Sequence, residues 1–400
     1  MASTTITALR TYVVGNPPPG FGGRYFLFLE LETAGGIVGV GEVYAATFHP
    51  SVIEQAVHDA FARHVEGMDA FSIETMWRRL YASGYTARPD TTLAGVMSGL
   101  ELACWDLVGK AVGRPVHALL GGRVHDRLRA YTYLYAEADD PVDVYLDPAL
   151  AAERAAVYAE RGHTALKFDP AGAYSAFDPR MPELEALDRC EAYVGAIREA
   201  VGSKCDLLFG THGQFTAPGA IRLARRLERF DPLWFEEPVP PDLPEEMAAV
   251  ARATTIPIAA GERLTTKYEF ARLLATGAAR ILQPNLGRAG GILEGKKIAT
   301  LAEAQYAQLA PHLYCGPIVG AANIQLAACS PNFLILEGIR EWRGFYAELL
   351  RTPIVWEDGY VNVPSGPGLG VELDHAVVAA HPYEDGALHL HAHDQPLGYP

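Results

Sequence analysis

The chain has 400 residues, 49% of them hydrophobic, with 39 Gly, 28 Pro and 33 basic against 48 acidic residues, a net charge of −15. That composition buries a large core punctuated by many turns and excludes a disordered chain. The acidic excess disfavours nucleic acid and anionic lipid as partners, so an anionic substrate must meet a local positive site. The five cysteines are odd in number and form no CxxC pair, which argues against a disulfide framework or a zinc site and fits a reducing cytoplasm. The N-terminus lacks a basic stretch followed by an apolar core, and no run of about 18 apolar residues occurs, so neither export nor a membrane span is expected.

In chain order, residues 5–14 and 24–33 read as strands, and GGIVGVGEVY as a third across a Gly-Gly turn, giving a small antiparallel sheet. Between the first two, Gly15 to Gly23 holds three consecutive prolines and is expected to be a surface loop, a candidate mobile cover. From Ser51 to Leu120 the pattern turns helical. Thr91 to Val112 carries apolar residues at spacings of three and four, which predicts a helix packed against something large. Strands are predicted at 128–135 and 164–168, and a helix from Pro182 to Val201 that Gly202 stops.

The second half keeps a regular beat. Glu236 in FEEP, Glu262 in AAGER, Asn285 in LQPN, His312 in APH and Glu337 in LILEG are separated by 26, 23, 27 and 25 residues. Each interval accommodates one strand, one helix and two loops. Such a repeat predicts a β/α barrel of the TIM type, about 250 residues long, with chemistry at the carboxyl ends of its strands. Three parts follow: an α+β capping domain over 1–126, the barrel over 127–350, and a tail over 351–400 that returns to the cap.

The string GLELACWDLVGKAVGRPVHALLGG, the FEEP and AAGER strand ends, AGGI at Ala289 to Ile292 and the APH segment together resemble the mandelate racemase and muconate lactonizing branch of the enolase superfamily, over about residues 20 to 370. The resemblance implies a modified barrel under an α+β cap, a bound Mg²⁺, and reactions that begin by removing the proton α to a carboxylate. Elementary chemistry explains the ion: the enediolate carries two negative charges, and a divalent cation held by carboxylates neutralises them as they form. Glu236 and Glu262 are the candidate metal ligands. A purely structural alternative pairs Glu236 and Glu237 with Arg263.

Two departures stand out. Gly210 occupies the place of the third family carboxylate, which makes His212 either a nitrogen ligand, better suited to Mn²⁺ or Zn²⁺, or a general acid or base. The second concerns the base. His312 is in register, but Asn285 replaces the aspartate expected beside it, so His312 should be a weaker base or act as an acid. Lys167 and Asp169 in KFDP share a strand face. Lys167 can steady an oxyanion, and Glu337 resembles a glutamate that hydrogen-bonds the substrate from its protonated form.

The KFDP string and His212 resemble sugar-acid dehydratases most closely. An aldonate-type dehydratase is expected, with acid and base among His312, His212, Asp169 and Tyr174, and with Asn285, Arg263, Arg24 and His49 as further substrate contacts. An epimerase or cycloisomerase shares the first step, and a non-catalytic sugar-acid binding protein keeps only the fold. A homo-oligomer is expected for a barrel of this size.

Overall fold

The computed structural model describes residues 2–390 except 86, 138 and 173–178. Strands β1 (Ile6–Gly15), β2 (Tyr25–Thr33) and β3 (Val38–Val43) form an antiparallel sheet in the order β1-β2-β3. Helices α1 (Pro50–His64), α2 (Ile73–Tyr81) and α3 (Thr91–Val112) pack on it, and α3 has the predicted bounds. Asp90 caps α3 by accepting from Leu93 N–H, and Gly113 ends it at φ 66°, a left-handed position that costs a side chain energy. Gly39 and Gly41 let α3 approach β3 closely, since a Cβ at Gly41 would lie 2.0 Å from Gly99 O.

After α4 (Val116–Leu119), the body alternates β4 (Arg127–Tyr133), α5 (Pro148–Glu160), β5 (Ala165–Phe168), α6 (Leu184–Val201), β6 (Asp206–Gly210), α7 (Ala217–Leu227), β7 (Trp234–Glu236) and α8 (Pro244–Ala253). It continues with β8 (Ile258–Ala260), α9 (Thr266–Thr276), β9 (Ile281–Leu282), α10 (Gly291–Glu303), β10 (Gln308–Leu309), α11 (Pro317–Ala328) and β11 (Leu336–Gly338). Each strand from β4 to β10 pairs in parallel with the next, and β11 returns to pair in parallel with β4. Leu334 N–H donates to Leu309 O, which joins β10 to the chain entering β11. Among the described residues the result is a barrel of eight parallel strands with seven intervening helices.

Alternation along these short strands fixes what points inward. Tyr131, Ala165, Leu208, Trp234, Ala259, Ile281, Ala310 and Ile335 fill the interior. Two residues further along β5, β7 and β11 come Lys167, Glu236 and Glu337, so the same period that plugs the barrel raises those charges to its carboxyl end. Beyond α12 (Phe345–Glu348), the tail forms β12 (Trp356–Glu357) and β13 (Tyr360–Asn362), which pairs antiparallel with the start of β4. It then passes α3, where Leu369 N–H donates to Asp106, and after α13 (His375–Ala380) reaches β1, where Tyr383 N–H donates to Val13 O. Among the described residues no helix is long and apolar enough to cross a membrane.

Two buried carboxylates of the cap join it to the barrel. Glu101 on α3 accepts from the Ile292 and Leu293 N–H groups at the start of α10, and Glu42 on β3 accepts from Gly316 and Val319 N–H at the start of α11. Helix N-termini favour such anions. Because Glu42→Ala strands buried donors, we expect it to lower stability by about 1–3 kcal/mol, read as an earlier denaturant midpoint; an unchanged midpoint would show that water replaces the carboxylate.

Candidate active site

Strand ends bring the charges together. Lys167, 1% exposed, has its Nζ 2.5 Å from Glu236 Oε1 and 3.4 Å from Glu337 Oε1. Burial alone would pull the ammonium down, but Glu236 and Glu337 raise its pKa well above the ordinary value, so it stays charged. The other oxygen of Glu236 accepts from Gln283 Nε2 at 2.6 Å and Trp234 Nε1 at 3.1 Å. Glu337 likewise accepts at both oxygens, from Lys167 at 3.4 Å and from Leu313 N–H at 2.9 Å.

The strand carrying Gly210 stops there, and the chain turns. Thr211 Oγ1 donates to Glu236 O, Gly213 N–H donates to Glu237 O, and His212 adopts φ 50°, an unusual left-handed position for a residue with a side chain. The direction of His212 is thus set by this turn rather than by strand alternation. Its Nδ1 lies 3.3 Å from Asp169 Oδ1, and Tyr133 Oη donates to Asp169 Oδ2 at 3.0 Å. Although burial works against the charged ring, Asp169 pushes the His212 pKa up to about 9.

His312 has a different partner. Asn285 Oδ1 accepts from Gly287 N–H at 2.8 Å, so its amide nitrogen is the group that faces His312 Nδ1 at 3.0 Å. That assignment of the amide follows from the hydrogen-bond network, and it makes Nδ1 an acceptor and puts the imidazole proton on Nε2. Burial lowers the His312 pKa as well. A neutral ring with a donating Nε2–H results, 3.3 Å from Glu262 Oε2 and 3.9 Å from Glu337 Oε2. Counting from β4, the strands that lead to His212 and His312 are the third and seventh of eight, so the two rings stand across the mouth from each other.

Other expectations are revised. Asn285 is fully buried, with its side chain bonded to His312, Gly287 and Cys315. Arg263 is paired with Glu237 at 2.6 Å, as the structural alternative for Glu237 held, whereas Glu236 belongs to Lys167. Arg24 is exposed and faces the tail, with Asp385 at 3.9 Å. His49 caps α1 by accepting from Ser51 N–H. The loop itself lays Phe21 on Tyr135 and under Arg340, residues just beyond β4 and β11. Tyr174 lies outside the described residues. Sequence reading missed Tyr133, Gln283, Tyr44 and Arg288, of which only Arg288, three residues after Asn285, carried a signal.

The family model Enolase C-terminal domain-like matches residues 149–377, and that of the mandelate racemase/muconate lactonizing enzyme N-terminal domain matches residues 21–121. The chain belongs to the mandelate racemase/muconate lactonizing enzyme family of the enolase superfamily. It is 38% identical over 381 residues to a D-galactonate dehydratase of Ralstonia nicotianae, covering 93% of each chain. With a D-xylonate dehydratase of Haloferax volcanii it shares 33% identity over 389 residues, 96% of this chain and 90% of that one. A solved mandelate racemase/muconate lactonizing enzyme from a Sulfitobacter species superposes with a TM-score of 0.96 at 51% identity, covering 99% of this chain and 100% of the other.

Members of this family generally hold a divalent ion, most often Mg²⁺. The donor set of this chain does not fit one in the arrangement seen. Among the described residues no three of His, Cys, Asp and Glu are grouped to hold a metal. Both oxygens of Glu236 are engaged, and Nδ1 of His212 faces Asp169 Oδ1 at 3.3 Å. A side chain at Gly210 would place its Cβ 2.6 Å from Tyr133 Oη and 3.0 Å from Lys167 Cε, so the family carboxylate's space is filled.

Proposed function

We propose that the chain is a lyase that dehydrates a sugar acid of the aldonate type, with His212 as its acid–base residue. The similarity to dehydratases named for D-galactonate and D-xylonate supports the substrate class and reaction. The observation that carries the assignment of roles is the exchange of partners between the two histidines: the carboxylate stands beside His212 and the amide beside His312. A carboxylate orients a ring and stabilises its imidazolium, whereas an amide only orients it.

Asp169 takes Nδ1 of His212, so Nε2 is the nitrogen turned away from it. In its neutral form His212 Nε2 removes the proton α to the substrate carboxylate. The imidazolium then returns that proton to the departing 3-hydroxyl; the C3–O bond breaks, water leaves, and the enol becomes a 2-keto-3-deoxy acid. His312 remains neutral and offers Nε2–H to the oxyanion that develops, a preorganised donor of the kind that stabilises enolates. Lys167 keeps Glu236 and Glu337 charge-balanced so that the mouth admits a second negative charge.

Proton NMR in D₂O on a panel of aldonates tests this reading. New 2-keto-3-deoxy signals are expected. Loss of the α-proton signal without elimination would instead identify an epimerase or cycloisomerase, and an unchanged spectrum on every sugar acid would leave a binding protein that keeps the fold.

A further inference from the structure

An aldonate brings a carboxylate into a mouth that already holds Asp169, Glu236, Glu262 and Glu337. Most cations there are spent: Lys167 on Glu236 and Glu337, Arg263 on Glu237, His212 on Asp169, and Arg340 on Glu137. Arg288 is different. It lies in the loop between β9 and α10, where its N–H donates to Asn285 O and so ties it to the residue that orients His312. Its guanidinium carbon sits 3.8 Å above the centre of the Tyr44 ring, and that ring in turn stacks on His312 with centroids 6.4 Å apart.

The polar contacts of Arg288 are few. Nη1 reaches the backbone oxygen of Glu262 at 3.5 Å, Nε is buried with no hydrogen-bond partner, and among the described residues no carboxylate forms an ion pair with it. A guanidinium backed by an aromatic face, with a buried donor lacking an acceptor, has the form of a receptor for a planar bidentate anion. Its charge reaches the His312 ring and helps hold it neutral.

We propose that Arg288, backed by Tyr44, receives the carboxylate of the sugar acid and thereby determines that the enzyme takes acids rather than neutral sugars. This rests on the dehydratase reading, so the test includes a ligand that needs no turnover. Calorimetric binding of tartronate, a small hydroxydicarboxylate, would be measured on wild type, Arg288→Gln and Arg288→Lys beside aldonate kinetics, with circular dichroism to confirm folding. Arg288→Gln should weaken tartronate at least 30-fold and raise the aldonate KM by a similar factor while kcat changes less than fivefold. Arg288→Lys, which keeps the charge and loses the fork, should fall between.

Tartronate binding within threefold of wild type in Arg288→Gln would overturn the proposal even if dehydration is confirmed. Conversely, a 30-fold loss of tartronate binding in a protein that turns over no sugar acid would support Arg288 as the anion receptor and retire the dehydratase reading alone.

Discussion

His212→Asn should reduce dehydration by at least about 10³-fold, within the range by which a positioned acid–base group accelerates a reaction, while His312→Asn should retain more activity than His212→Asn. The two variants separate this chain from the usual arrangement of its family, in which a histidine after the seventh strand is backed by an aspartate. Here the carboxylate has moved: Asp169 holds His212 at 3.3 Å, and Asn285 presents a donor to His312 Nδ1 at 3.0 Å. An imidazolium at His312 would set N–H against N–H, so protonation of that ring is opposed by its own partner. Asp169→Asn should be nearly as damaging as His212→Asn, since the amide lowers the ring's proton affinity and allows a turned tautomer. Steady-state kinetics reads all three, and full activity in His212→Asn would remove the residue from the mechanism.

Lys167→Met should be the most destabilising single change at the barrel mouth. Its ammonium is the cation in contact with Glu236 and Glu337, and both carboxylates are buried, 1% and 4% exposed. Removing one partner of a buried pair leaves an uncompensated charge and costs about 3–5 kcal/mol. Neutralising the nearer carboxylate as well should recover part of this loss, so Lys167→Met/Glu236→Gln is expected to be more stable than Lys167→Met alone. Denaturant unfolding decides between them. Equal stability of the single and double variants would show that the ammonium is not balancing Glu236.

Much of this architecture was legible in the residues. The even spacing from Glu236 to Glu337 gave the barrel, because each βα unit needs a fixed length of chain, and the apolar period of Thr91 to Val112 gave α3 to the residue. Alternation along KFDP and FEEP was enough to place Lys167 and Glu236 at the mouth. What alternation could not give was His212, since β6 ends at Gly210 and a left-handed turn decides where that ring goes. Partner choice was equally hidden. Lys167 and Asp169 share a strand face, yet they divide between Glu236 on one side and His212 on the other, a matter of angles across neighbouring strands. Arg24 and His49 have the charge and loop position of substrate contacts, yet a tail contact engages the first and capping of α1 the second. Tyr44 comes from the cap, so nothing near it in sequence pointed to the barrel residue it backs.

The pH dependence of kcat/KM tests the central assignment most directly, because it reports proton binding by the free enzyme. A base must be unprotonated, and Asp169 raises the His212 pKa to about 9; wild-type kcat/KM should therefore climb about tenfold per pH unit from neutrality and level off near that value. In Asp169→Asn the remaining activity should level off at least one unit lower, toward the ordinary histidine value of about 6.5. A wild-type profile that is already flat above about 6.5, and that Asp169→Asn does not move, would contradict the account and return the base to His312.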